Sequence, residues 1–102
     1  MRHFSIFDFE NYVPSHILQR GHAYYKERRI REMDEMEPGE WYADAHGTAP
    51  EPYEVFVRLD AADPTIVEEY DCSCAYDLGI CKHVVAFLYE LRELVEAMSD
   101  EA

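Results

Sequence analysis

Hydrophobic positions along this chain change period twice, and each change marks a new kind of element. Behind the helix-opening pair Pro14-Ser15, residues Ile17, Leu18, Gly21, Tyr24 and Tyr25 recur at helical spacing, which predicts a first helix running to about Arg28. The period then falls to two. Trp41, Ala43 and Ala45 alternate with Tyr42, Asp44 and His46, and after a Gly/Pro-rich turn Tyr53, Val55, Val57 and Leu59 alternate with more polar neighbours. These segments, Trp41 to Gly47 and Tyr53 to Leu59, read as two antiparallel strands. A less regular third strand, Thr65 to Tyr70, follows the turn at 60–64. From His83 the period returns to about 3.6 residues, with Val84, Phe87, Leu88, Leu91, Leu94, Val95 and Met98 on one face and Glu90, Glu93 and Ala97 opposite.

The expected fold is therefore α+β: an N-terminal helix, a three-stranded antiparallel sheet and a C-terminal amphipathic helix packed on it. Tyr42 and Phe56 fall on the other face of the strands, and the expectation is that the first helix covers that side. With 102 residues and 48% apolar content the chain suits one domain, 1–102, with a core from about 14 to 98. The longest apolar run, Val84 to Tyr89, is too short to span a bilayer, and Met1 to Val13 lacks the basic start and apolar run of a signal peptide. A cytoplasmic location is the expectation, in keeping with reduced or metal-bound thiols.

The chemistry is concentrated in one short stretch. Cys72, Cys74, Cys81 and His83 form a Cys-x-Cys, six-residue gap, Cys-x-His pattern that contains every cysteine of the chain. A structural Zn²⁺ takes four protein ligands in a tetrahedron, with thiolate and imidazole the usual donors, and three cysteines with one histidine saturate it. Two close ligand pairs joined by a loop let the chain wrap a small ion, and Gly79 gives that loop, Ala75 to Ile80, its turning freedom. Competing chemistries fit less well. A disulfide framework leaves one cysteine over; an iron-sulfur cluster asks for four cysteines or a second histidine; and a catalytic Cys81 with His83 as its base leaves Cys72 and Cys74 without a role. With every position filled by protein no site is open for water or substrate, so the expected zinc is one structural ion and the chain is not expected to be an enzyme.

The stretch from Cys72 to Tyr89, with a helix entered directly after the histidine, resembles the SWIM zinc-finger domain. The segment Arg20-Gly-His-Ala-Tyr-Tyr-Lys-Glu-Arg-Arg-Ile resembles the basic, aromatic helix that often precedes that finger, so the resemblance spans roughly residues 14 to 95. It implies a zinc-stabilised, non-catalytic module that binds DNA or other proteins, with Cys72, Cys74, Cys81 and His83 as the metal ligands.

Charge changes that picture. Against 22 acidic residues stand 9 basic ones, giving a formal net charge of −13 and a pI near 4.6. Nucleic-acid affinity comes largely from neutralising phosphates with Lys and Arg, so overall this chain repels DNA. The local exception is Arg20, Lys26, Arg28, Arg29 and Arg31 beside Tyr24 and Tyr25, a patch able to meet a phosphate backbone or an acidic protein, its tyrosines serving as stacking surfaces. Alternatively the tyrosines face the core and the arginines pair with Asp34, Glu35, Glu37 and Glu40. Two lysines against seven arginines also fits adaptation to high salt, where net charge serves solubility. His3, His16, His22 and His46 stay outside the ligand set. The leading reading is a protein-interaction adaptor or small subunit of a nucleic-acid-handling assembly, with direct nucleic-acid binding through residues 20–31 second and a thiol redox switch third.

Overall fold

The alternation read along the middle of the chain becomes a meander. In a computed structural model, which describes residues 3–75 and 79–100, the elements are β1 (Phe4–Ser5), a 3₁₀ turn (Phe9–Tyr12), α1 (Ser15–Lys26), β2 (Ile30–Glu37), β3 (Glu40–Ala45), β4 (Tyr53–Leu59), β5 (Ile66–Cys72) and α2 (Lys82–Asp100). The strands form one antiparallel sheet in the order β1-β5-β4-β3-β2. Trp41 pairs with Val57 and Ala43 with Val55, which aligns the apolar positions of neighbouring strands on one face. Ala43, Ala45, Val55, Val57, Leu59 and Val67 are buried there against α2.

The sheet has five strands where three were expected, and both additions lie at its edges. Along β2 only Ile30 is buried and most other positions are exposed, so the strand shows no period of two. An edge strand needs no apolar face, and charges and bulges protect its open side from other chains. The register shifts between Arg31 and Asp34 and again between Glu35 and Glu37, and Glu32 adopts a φ of 58°. A tight turn joins β2 to β3: Gly39 has a φ of 84° and donates its N–H to Glu35 Oε2 at 2.9 Å. A side chain on Gly39 would strike the Leu59 carbonyl. At the far edge, two residues of β1 pair with Val67 and Ile66, and neighbouring Ile6 and Phe9 are fully buried.

The first helix ends at Lys26, two residues earlier than its pattern predicts. Arg28 takes a left-handed φ of 58°; its N–H bonds the Tyr25 carbonyl at 3.1 Å and that of Arg29 the Tyr24 carbonyl at 3.0 Å. This pair of bonds is the Schellman closure of a helix, with arginine in the place glycine usually takes.

The placement of α1 also departs from expectation. It does not cover the face carrying Tyr42 and Phe56, but packs on α2, on the same side of the sheet. The reason lies in α2. Every residue from His83 to Tyr89 is buried, so this half of the helix needs two covers, and the sheet supplies only one. Gly21 is the point of closest approach: a Cβ there would overlap the Val85 side chain and sit 3.0 Å from the Lys82 carbonyl oxygen. Farther along, where α1 no longer shields α2, Leu94 and Met98 are exposed at 38% and 52%.

Ahead of α1, the 3₁₀ turn is tied to α2 by charge. Arg92 donates to both Glu10 oxygens, at 3.0 and 3.1 Å, and its guanidinium lies 4.9 Å from the Tyr89 ring centroid and 5.3 Å from that of Phe9. The hydrogen bond from Arg92 holds the Glu10 carboxyl below its ordinary range, against the opposing effect of desolvation.

Two outcomes follow. Gly21→Ala gains about 1 kcal/mol of helix propensity, but overpacking against Val85 costs about 1–3 kcal/mol, so the melting temperature falls. A rise would show that the two helices separate freely. Because the folded-state pKa of Glu10 is depressed, its contribution is present above the ordinary carboxylate pKa and disappears as pH falls through the folded value. Discounted for its partial exposure, the pair is worth roughly 0.5–1 kcal/mol, and Glu10→Gln lowers stability by that amount at neutral pH and by nothing in acid. Denaturant melts at the two pH values measure the difference.

Candidate metal centre

Two elements bring the ligands together. Cys72 is the last residue of β5 and pairs with Val55, while its neighbour Ser73 is held from both sides, its N–H on the Glu54 carbonyl at 3.0 Å and its hydroxyl accepting the Glu54 N–H at 2.9 Å. Cys74 follows as the chain leaves the sheet. Cys81 stands immediately before α2, its carbonyl accepting the Val85 N–H at 3.0 Å, and His83 lies in the first turn. Between the pairs, Gly79 takes a φ of 121°, the backbone freedom expected of it; residues 76–78 of this loop lie outside the described residues.

The geometry fits a zinc ion. One donor atom from each of Cys72, Cys74, Cys81 and His83 lies within 4.8 Å of every other. His83 Nδ1 is 3.6 Å from Cys72 Sγ and 3.8 Å from Cys81 Sγ. A tetrahedral ion with bonds of about 2.3 Å to sulfur and about 2.0–2.1 Å to nitrogen has edges of roughly 3.6–3.8 Å. The four residues are positioned to bind one zinc ion.

Electrostatics point the same way. Its hydrogen bond with Cys72 lowers the Cys81 thiol pKa far below its ordinary value, overcoming burial, and His83 and the Val84 N–H add to the effect. The Cys72 thiol is pushed up, first by that same bond to Cys81 and then by burial. Opposite shifts on two neighbouring thiols favour a thiolate at Cys81, at the positive end of α2, and a divalent cation would be a better partner for both sulfurs than a proton.

With Nδ1 of His83 turned to the thiols, a metal bound there would leave the ring proton on Nε2. The residue is only 3% exposed, and Nε2 has no hydrogen-bond partner among the described residues. Metal-bound histidines usually donate this proton to a carboxylate or carbonyl. Here the ring instead lies between two tyrosines, Tyr53 at 4.7 Å and 35° and Tyr24 at 5.5 Å and 66° between ring centroids and planes. Tyr24 in turn carries cations against its own ring, Arg29 at 5.1 Å and Lys82 at 5.2 Å. No local pattern points to Tyr53: it shares the inner face with Val55, but only the register that sets Val55 opposite Cys72 brings it to the metal ligands.

The basic, aromatic segment divides in two. Tyr24 and Tyr25 are half-buried, the first against His83 and the second stacked on Tyr89 at 5.3 Å and 27°. Arg29 pairs with Glu27 and donates to the His46 carbonyl at 3.1 Å. Arg20, Lys26, Arg28 and Arg31 are exposed. Among the described residues no ion pair joins this segment to Asp34, Glu35, Glu37 or Glu40; Glu35 instead accepts the Gly39 N–H.

If the tyrosine walls orient the ligand ring, Tyr24→Phe keeps zinc affinity and Tyr24→Ala lowers it by about tenfold, the scale of other supporting groups around metals. Competition against a chromogenic chelator reads this, and equal affinities in the two variants would remove Tyr24 from the site.

Among known proteins, the SWIM zinc finger family model matches residues 53–91. No curated protein and no solved structure matches the chain. The matched span begins with β4, takes in β5 and both ligand pairs, and ends at Leu91 in α2, so it is narrower than the resemblance drawn from residues 14 to 95 and leaves α1, β2 and β3 outside. Over residues 53–91, then, this chain is similar to the SWIM zinc finger.

Proposed function

We propose that this domain is a zinc-stabilised, non-catalytic recognition module that acts as a protein-interaction adaptor or small subunit within a nucleic-acid-handling assembly. The observation that carries the reading is the donor set: three sulfurs and one imidazole nitrogen lie within 4.8 Å of one another, enough to fill the four positions of zinc and leave it none from which to activate water or substrate. The ion's role is then mechanical. Cys72 and Cys74 fix the end of β5, Cys81 and His83 fix the start of α2, and the helix that carries much of the core is set on the sheet at a defined angle.

Direct nucleic-acid contact is the second reading, and exposed Arg20, Lys26, Arg28 and Arg31 support it. Against it stand the net charge of −13 and the occupied faces of Tyr24 and Tyr25, which leave the patch cations without stacking platforms. Phosphate contact predicts affinity that falls steeply with salt; a protein interface with an apolar centre predicts a weak dependence. Among the described residues no helix is long and apolar enough to cross a membrane.

Elemental analysis of protein purified without added metal returns one zinc per chain, and chelation abolishes the cooperative melt. Apparent zinc-binding energies of about 10–16 kcal/mol in small peptides match or exceed the usual stability of about 5–15 kcal/mol for a whole domain. A stable, metal-free fold with three titratable thiols would overturn the structural-zinc reading and favour redox chemistry. Retention by a labelled duplex at low salt, lost on changing Arg28 and Arg31 to Glu, would move the nucleic-acid reading ahead.

A further inference from the structure

Neither helix covers the outer face of the sheet. Tyr42 and Phe56, register partners on β3 and β4, pack on each other there at 4.9 Å between ring centroids, and both stay half-buried with nothing laid over them among the described residues. Beside the pair is an open hollow of about 480 Å³ lined by Tyr42, Met36 and six carboxylates, those of Glu32, Asp34, Glu37, Glu40, Asp44 and Glu54, with no lysine or arginine among its walls. The cation beyond Phe56 on β4, Arg58, is committed to Glu68 at 3.2 Å and Glu69 at 3.5 Å. Arg31, on the edge strand, turns toward the Arg28 carbonyl at 3.4 Å.

An unpaired surface carboxylate is ordinary, but here an aromatic pair borders an acidic hollow, with Tyr42 in its wall. Charge decides what such a face accepts. A second copy would present the same negative surface, and nucleic acid and anionic lipid are repelled. A guanidinium satisfies both parts of the surface, since it pairs with carboxylates through a planar fork and lies against aromatic faces. The bulged, charged edge of β2, with Glu32 at a φ of 58°, is unsuited to strand addition, which directs a partner to the face and away from the edge.

We propose that this outer face, centred on Tyr42 and Phe56 and ringed by the carboxylates of β2, β3 and β4, docks an arginine-rich polypeptide segment of a partner protein. The proposal rests on the recognition-module reading and adds to it the location of the interface and the chemistry of its partner. The site lies on the opposite side of the sheet from the metal ligands, so zinc sets the fold that carries the face and does not touch the partner.

The test uses zinc-loaded protein and a fluorescent octa-arginine peptide at physiological ionic strength, with anisotropy as the readout. Two variants each lose three carboxylates without change of side-chain size: Glu40→Gln/Asp44→Asn/Glu54→Gln on the face, and Asp8→Asn/Glu93→Gln/Glu96→Gln on the helical side. Zinc content and melting temperature are recorded for every sample, so loss of the metal, which would overturn the module reading, is seen separately from loss of peptide binding. The expected result is a drop in affinity of about tenfold or more in the first variant and little change in the second. A conservative third variant, Tyr42→Leu, weakens binding with the charge intact. Equal weakening in both triple variants, or no binding by the wild type, would overturn the proposal by reducing the face to diffuse acidity. A wild-type dimer in sedimentation that dissociates in the first variant would also overturn it, by assigning the face to a second copy.

Discussion

The rest of the structure depends on a corner where β5 stops and α2 begins, closed by three sulfurs and one imidazole nitrogen converging on a single point. Neither element is fixed there by packing alone. Beyond Cys72 the chain leaves the ladder, and a loop intervenes before the helix starts, so a metal bonded to both sides would define the angle between them. That angle propagates. From Val84 to Leu91, α2 supplies Val84, Val85, Phe87, Leu88 and Leu91 to the core, each at most 1% exposed, and α1 is held in place by α2. The helices and the sheet are thus assembled in series through one ion-sized site.

Local charge supports the same corner. The positive end of α2 favours a thiolate at Cys81, and Lys82 and Arg29 lie against the ring of Tyr24, which itself packs on His83. Of the basic segment that reads as a binding patch in the sequence, Arg29 therefore has structural partners in the fold, while Arg20, Lys26, Arg28 and Arg31 stay exposed. The acidic excess has the opposite distribution. Six of the carboxylates collect around one hollow on the outer face of the sheet. The chain separates a metal-bearing side, where charges are paired and packed, from a sheet face where they are left to solvent or to a partner.

What can be read from sequence depends on how local the cause is. The four ligands were legible because the coordination number of zinc and the short reach of two residue pairs are local constraints. The helical stripe of α2 and the alternation of β3 and β4 were legible because each buries one face against the core. Strand β2 was not, because an edge strand with only Ile30 buried leaves no periodic trace, and the two residues of β1 are too few to show one. The length of α1 was overestimated because Arg28 closes the helix in a conformation that sequence patterns assign to glycine.

By itself, then, the sequence determined the metal, its ligands, the α+β character and the acidity, all of which follow from residue identity and spacing along the chain. Only the tertiary structure decided that α1 covers α2 and leaves the outer face of the sheet bare, that Tyr24 and Tyr53 pack on His83, and that six carboxylates line a hollow beside Tyr42 and Phe56. These depend on which second surface a helix finds for its remaining apolar residues and on the register between strands. Both are settled by competition among long-range contacts, and no local pattern encodes its outcome.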